Sequence, residues 1–297
     1  MKNKGLTIFL IILLSIIAIV LLGIFIVLLN VEKLKLFSIG NYNESTNIVY
    51  DREYDDIFNQ INIDVNSANI EIKENKENKV KLIMYSEKNE EYSVNSNSND
   101  LNININNDSC KFLCFNFKTS KVILSVPNNN NKMIKIKDNF GNIKVEGLLN
   151  NIEFDIDSNA GNVKLDSIKS AIINNDYGDI FVSSANDLNL NASAGNIKVD
   201  NVGKITAKND YGNIDIDKIE GSANIKENCG NIKINSLYLI EDSIIENDLG
   251  NIKIGNTNEV YIDANTELGN TNIKNNYRNS NINLKIKNDC GNIEVNN

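Results

Sequence analysis

The chain has 297 residues, of which 41% are hydrophobic and 23% charged, so most of it is expected to fold rather than stay disordered. It contains no His and no Trp, and therefore lacks the side chain that most often serves as general base and metal ligand. The net charge of −9 argues against nucleic acid or anionic lipid as the main partner.

An uncharged apolar run extends from Leu6 to Leu29. A helix of that length spans roughly 36 Å, more than the ~30 Å hydrocarbon core of a bilayer. A cleaved signal peptide would have a shorter apolar region and a small-residue cleavage site, and a lipoprotein anchor would need a Cys after the run. The sequence thus predicts a retained transmembrane helix over residues 6–29.

The few charges beside this helix set its predicted orientation. Lys2 and Lys4 precede it, whereas Lys33 and Lys35 follow it together with Glu32. A short basic N-terminus before a single apolar run favours the cytoplasm. We therefore expect a cytoplasmic N-terminus at 1–5, a linker at 30–56, and a single-pass cell-membrane protein whose C-terminal part is extracytoplasmic.

Residues 57–131 show alternating apolar and polar positions without a strict repeat, as in Ile61-Asn62-Ile63 and Ile70-Glu71-Ile72. Such alternation is typical of strands with one buried face. The only proline, Pro127, follows Val126 at a strand end, where its missing N–H is harmless. We interpret 57–131 as an N-terminal β region that starts a solenoid.

Residues 132–297 carry a repeat that determines the architecture. Apolar residues recur seven and five positions before the corner glycines, and two and four positions after them, with Ser243 and Thr271 as exceptions, so the inward parity switches at the corner. This predicts an all-β fold, a parallel β-solenoid or β-helix of about nine coils of 17–22 residues. The corner glycines are Gly141, Gly161, Gly178, Gly195, Gly212, Gly230, Gly250, Gly269 and Gly291.

An Asn follows nearly every corner glycine, with Asp179 as the one replacement. Gly and Asn are the residues that best tolerate positive φ, which suits a sharp corner. Stacked Asn side chains are expected to share amide hydrogen bonds along the solenoid.

The strand Ile61-Asn62-Ile63, the segment Ser67–Ile72, the strand Ser125-Val126-Pro127 and the Gly-Asn-Ile corners resemble the bacterial putative-adhesin family. Members are β-strand-repeat proteins built around a domain of unknown function. The resemblance covers roughly residues 57–297. It implies a β-solenoid or β-helix at the bacterial envelope and transfers no catalytic residues.

Acidic residues recur two positions before several glycines, and Asp248, Glu267 and Asp289 do so on consecutive coils, about 5 Å apart. Such a column would suit Ca²⁺, but no Ca²⁺ loop motif accompanies it, so a solvated edge is favoured and neither metal nor cofactor is predicted. Periodicity also explains these acids without glycoside cleavage, and no catalytic residue is assigned. Tyr177 and Tyr211, directly before glycines, are interpreted as corner packing.

Four cysteines add little chemistry. Cys229 and Cys290 share a repeat position three coils apart, roughly 14 Å, too far for a disulfide, and both are interpreted as small buried hydrophobes. Cys110 and Cys114 flank a three-residue segment, where a local disulfide is an open alternative.

The sequence predicts a non-enzymatic adhesin or envelope scaffold that binds an unknown extracellular or envelope ligand. An accessory or sensor protein of an envelope-stress response is the alternative, and a polysaccharide-processing enzyme is a third, weaker one. Its expected partners are the membrane, through the N-terminal helix, and not nucleic acid. Self-association is also expected through the coil beginning at Gly291, which ends the sequence and would leave an open strand edge.

Overall fold

The computed structural model describes residues 43–55, 58–87, 90–106, 118–128 and 132–296. The solenoid lies in the compact unit that comprises residues 44–109 and 119–297. The part of the chain that the structure describes contains no helix that could span a bilayer. The predicted transmembrane helix at 6–29 lies outside the described residues and stays a prediction.

The strands of the first half are β1 Asn43–Glu44, β2 Ile48–Tyr54, β3 Gln60–Val65, β4 Ala68–Glu74, β5 Val80–Tyr85, β6 Glu91–Ser96, β7 Asp100–Asn106, β8 Lys118–Val126, β9 Lys132–Phe140 and β10 Ile143–Ala160. Those of the second half are β11 Val163–Tyr177, β12 Ile180–Ala194, β13 Ile197–Tyr211, β14 Ile214–Cys229, β15 Ile232–Leu239, β16 Ser243–Leu249, β17 Ile252–Thr257, β18 Tyr261–Leu268, β19 Thr271–Ile273, β20 Asn283–Cys290 and β21 Ile293–Val295.

Parallel pairing in register joins each coil of the central part to the next. The start of β10 pairs with the start of β11 at Ile143 and Val163, and their ends pair at Ile156 and Ile173. The apolar columns on both sides of the corner face the interior and are buried along most of the solenoid. The fold is therefore the predicted all-β parallel solenoid, with about eight turns where about nine coils were predicted.

The N-terminal β region belongs to the same solenoid. Strand β3 pairs in parallel with β9 on one face, and β4 pairs in parallel with β10 on the other. Strands β7 and β8 stack on the far side of β3 and β4. The antiparallel strands β6, β5 and β2 then continue the two faces outward, so parallel stacking stops at this end.

The C-terminal end departs from the predicted order. Strand β20 pairs with both β16 and β18, and β21 pairs with both β17 and β19. The coil around Gly291 thus lies inside the stack, and the expectation that it forms the open end is wrong. The edge strands are β18 and β19, and the Asn276 amide occupies part of that edge by bonding the N–H and C=O of Ile262 at 2.9 and 2.8 Å.

Candidate functional site

The glycine corners permit an unusually close approach of successive coils. Gly178 has φ of 138°, and a Cβ added there would lie 2.1 Å from the carbonyl oxygen of Gly161. At Gly230 the same distance, to the oxygen of Gly212, would be 1.4 Å. Only glycine fits this column, so the residues on either side of it are aligned along the solenoid axis.

The Asn and Asp residues after the glycines, together with Asn69 after Ala68, form a continuous hydrogen-bonded ladder, as the sequence predicts for the Asn column. Each side-chain oxygen accepts the backbone N–H of the corresponding residue on the next coil, at 2.8–3.1 Å. Direct amide-to-side-chain bonds also occur, for example from Asn213 to Asn196 at 3.2 Å. In spatial order the ladder is Asn69, Asn142, Asn162, Asp179, Asn196, Asn213, Asn231, Asn251, Asn292 and Asn270.

A second polar column lies inside the corner, three positions before the glycines, and no sequence prediction covered it. The buried amides of Asn209, Asn247 and Asn288 donate to the glycine carbonyl of the adjacent coil at 3.1, 3.1 and 2.9 Å. Strand alternation could have identified this column. Positions seven and five before each glycine face inward, so position three, which has the same parity, is expected to face inward as well.

Two carboxylic acids, Asp138 and Glu227, occupy this inner column, and both side chains are buried. Burial raises the pKa of Glu227 to about 7, outweighing the nearby Asn209 amide and the backbone N–H of Cys229, which favour the charged form. Burial likewise raises the pKa of Asp138 to about 7 against the N–H groups of Phe140 and Ala68. A protonated carboxyl can donate a hydrogen bond as the neighbouring amides do, whereas a carboxylate cannot.

The residues directly before the glycines form an apolar line with exposed large side chains and partly exposed Ala160, Ala194 and Cys229, which we call the corner ridge. The prediction that Tyr177 and Tyr211 pack into the corner is wrong, because their side chains are 66% and 65% exposed. Phe140, Leu249 and Leu268 are exposed as well. Large and small side chains alternate along the ridge, whose spatial order is Phe140, Ala160, Tyr177, Ala194, Tyr211, Cys229, Leu249, Cys290 and Leu268.

Charged columns flank the corner ridge. The acidic column lies two positions before the glycines, and Asp289 stands between Asp248 and Glu267 because β20 lies between β16 and β18. Within the described residues, no group of three or more His, Cys, Asp or Glu is arranged to hold a metal ion. On the other flank, beyond the Asn ladder, Lys198 and Lys233 line a shallow groove with the ladder amides.

The cysteines differ from expectation in position. Cys229 and Cys290 are both free and both neighbour Leu249, so two coils rather than three separate them. Cys290 is exposed and Cys229 partly exposed, so the interpretation of both as buried hydrophobes is wrong. Cys110 and Cys114 lie outside the described residues, and their disulfide stays an open prediction.

Comparison with known proteins gives one family and several solved folds. The family model described as Toastrack DUF4097 matches residues 58–203 and 182–297. A "putative adhesin" from Bacteroides fragilis is 19% identical with a TM-score of 0.47, over 86% of this chain and 100% of that one. A "putative adhesin" from Parabacteroides merdae is 13% identical with a TM-score of 0.45, over 85% and 98%.

A "putative lipid binding protein" from Parabacteroides distasonis is also 13% identical, with a TM-score of 0.37 over 85% of this chain and 98% of that one. No curated protein sequence matches the chain.

Proposed function

We propose, from the premise that the chain belongs to the Toastrack DUF4097 family, that it is a membrane-anchored adhesin or envelope scaffold whose solenoid binds a ligand outside the cytoplasm. The apolar run at 6–29 supplies the anchor in this proposal, and the acidic, His-free remainder supplies the exported part. The proposal concerns binding and not catalysis.

The observation that carries the proposal is the repetition of the exposed surface. The corner ridge and the Asn ladder present the same kinds of side chain on coil after coil, with the ladder held by backbone bonds of 2.8–3.1 Å. A repeating surface can bind a repeating polymer through many weak contacts, which together give strong attachment. A surface of this kind suits adhesion or scaffolding.

The enzyme alternative receives no such support from the geometry. Glycoside cleavage needs two carboxyl groups at a defined separation across a cleft, one of them with a raised pKa. The raised pKa values belong to Glu227 and Asp138, which are buried inside the corner. The acids of the acidic column, two positions before the glycines, lie instead along an edge of the solenoid, where the repeat itself explains their spacing.

The stress-response alternative assigns the important contacts to the anchor rather than to the solenoid. Exchanging residues 6–29 for an unrelated transmembrane helix separates the two proposals. A binding or scaffold protein is expected to keep its function after the exchange, whereas an accessory of other membrane proteins is expected to lose it.

The first experiment is protease accessibility of the solenoid on intact and lysed cells, with a cytoplasmic protein as the internal control. Cleavage on intact cells while the control stays whole is the expected result. Protection until lysis, persisting after enzymatic removal of the cell wall, would overturn the proposal.

A further inference from the structure

The corner ridge is anomalous for a solvent-facing column, because all nine of its residues are apolar or Cys. The large members range from 53% exposed at Leu249 to 71% exposed at Leu268. Exposed apolar residues that line up contiguously indicate an interaction site, whereas scattered ones do not. The ridge therefore needs an occupant, and its regular spacing limits which occupants fit.

The spacing follows from the register of the strands. Phe140 and Tyr177 both neighbour Ala160, and Tyr177 and Tyr211 both neighbour Ala194. Successive rings are thus two coils apart, about 9.6 Å at the strand spacing of about 4.8 Å. Leu249 and Leu268 continue the same interval, because the last coil of the sequence is inserted between them.

A second copy of this chain fits the ridge poorly. A two-fold axis parallel to the solenoid would place large side chains opposite the same large side chains. A two-fold axis perpendicular to the solenoid would let large meet small, but it would bring the two acidic columns face to face. Neither symmetric arrangement satisfies both shape and charge.

An extended sugar polymer fits both features. In a β-1,4-linked glycan alternate rings are flipped, so the same apolar C–H face recurs every second ring, over a length close to two coils. Aromatic faces stack on such C–H faces because the π-cloud is negative and the C–H edge positive. The exposed amides of Asn196, Asn213 and Asn231, with Lys198 and Lys233 beyond them, supply donors for the hydroxyl groups at the ring edges.

We propose that the corner ridge binds an extended β-1,4-linked glycan, with Phe140, Tyr177 and Tyr211 each stacking on every second ring and the Asn ladder bonding the ring edges. The inference rests on the proposed binding function and names its ligand class. The glycan of a cell wall and an exogenous glycan share this chemistry.

The test is calorimetric titration of the full-length chain in lipid nanodiscs with β-1,4-linked hexamers of glucose and of N-acetylglucosamine. Binding of either hexamer is expected, and the preferred sugar distinguishes an N-acetylated wall-type source from a cellulose-type source. Tyr177→Ala and Tyr211→Ala should each raise Kd by about tenfold, the loss of one aromatic contact. Tyr238→Ala removes an exposed tyrosine elsewhere on the solenoid and should leave Kd unchanged.

Ala194→Tyr provides the sharpest control, because it fills a gap in the ridge without removing any contact. If the two-coil spacing matters, this variant should weaken glycan binding. A lower Kd of this variant for the β-1,4-linked hexamers would indicate a generally adhesive apolar surface and overturn the proposal. Equal affinity of the unmodified chain for the α-1,4-linked glucose hexamer would overturn it as well. Concentration-dependent dimerisation that Tyr177→Ala abolishes would also overturn it, in favour of self-association.

Failure here is distinguishable from failure of the proposed function. If neither β-1,4-linked hexamer binds while the solenoid is cleaved on intact cells, the glycan inference is wrong and the exported binding protein stands. If the solenoid is protected in cells, the envelope function is wrong whatever the titration shows.

Discussion

Coils in the middle of the solenoid stack in the order of the sequence, whereas coils at its two ends do not. From β10 to β17 each coil pairs with the coil that precedes it in sequence. At the N-terminal end, β7 and β8 stack outside the earlier β3 and β4. At the C-terminal end, β20 and β21 insert inside the earlier β18 and β19. Sequence order thus equals spatial order only in the middle.

The comparison shows which information the repeat carries. Every coil presents the same inward columns and the same glycine corner, so one coil can stack on any other with equal register. Connections then decide the order. Residues 258–260 link β17 to β18 and, fully extended, span about 10 Å, enough to rise the two coil spacings, about 9.6 Å, that leave a gap for β20.

Crosslinking gives the largest expected effect, because it is all or none. Leu249→Cys, with Cys110, Cys114 and Cys229 replaced by Ser, should form a disulfide with Cys290 under mild oxidation. The two positions are direct neighbours in the stack, within the Cα separation a disulfide needs. The measurement is the shift of the oxidised chain on a non-reducing gel, confirmed by peptide mapping.

The matched control pairs Leu249→Cys with Leu268→Cys in a chain with all four native cysteines replaced. These two positions lie two coils apart in the structure, about 9.6 Å, and should stay reduced. If they crosslink instead, and Leu249→Cys fails to bond Cys290, the coils follow sequence order and the inserted coil is wrong.

Much of this fold follows from the sequence, and the reason is local. The inward columns, the glycine corner and the Asn ladder each depend on one coil and its neighbour, whichever that neighbour is. Stacking order depends on connections and on end contacts such as the Asn276 amide on Ile262, which no periodic pattern encodes.

The candidate site was harder to predict from the sequence than the fold, because it lies at the corners, where strand alternation breaks. A polar residue three positions before glycine looks like a surface residue until parity places it inside the corner, as for Asn209 and Glu227. An apolar residue directly before glycine looks like core, yet the bend turns Tyr177 outward. Corners break the alternation that identifies strand faces, so both columns were misassigned or missed.

Glycine substitution should separate the middle from the end by free energy of unfolding. Gly195→Ala places a Cβ 2.0 Å from the oxygen of Gly178, within a corner fixed by coils on both sides. We expect a loss of about 4 kcal/mol in urea unfolding, because neither neighbour can move and φ is positive.

Gly269→Ala creates a similar clash, 2.0 Å from the oxygen of Gly291, but on the edge coil. That coil has a neighbour on one side only and can shift, and Gly269 lacks the positive φ of Gly195, so we expect about half the loss. Equal losses at the two positions would show that the edge coil is as constrained as the middle.

The buried acid of the middle should make stability depend on pH. Burial raises the pKa of Glu227 from its usual value of 4.5 to about 7 in the folded protein, so the folded state binds its proton more tightly. The protonated Glu227 carboxyl makes its full contribution to the free energy of unfolding below pH 4.5, and this contribution is lost as the pH rises to about 7. Glu227→Gln should therefore stabilise the chain at pH 8 by about 2 kcal/mol and change little at pH 4.

Urea unfolding at the two pH values measures this difference. Asp138→Asn, in the same inner column nearer the N-terminal end, should act in the same direction, because burial raises its pKa to about 7 as well. Asp157→Asn makes the same kind of substitution on the exposed face of the solenoid and serves as the surface control. A gain at pH 4 equal to that at pH 8 would mean that packing rather than ionisation causes it.

The smallest expected effect concerns the cap at the C-terminal edge. Asn276→Ala removes the two hydrogen bonds that the side-chain amide makes with the backbone of Ile262. The global loss should be about 1 kcal/mol, but amide exchange in β18 should accelerate while exchange in β12 and β13 stays unchanged. The exposed Asn189→Ala in the middle is the matched control and should alter neither region. Uniform acceleration through the whole solenoid would indicate that the coils open together, and the distinction between middle and end would then concern order but not local stability.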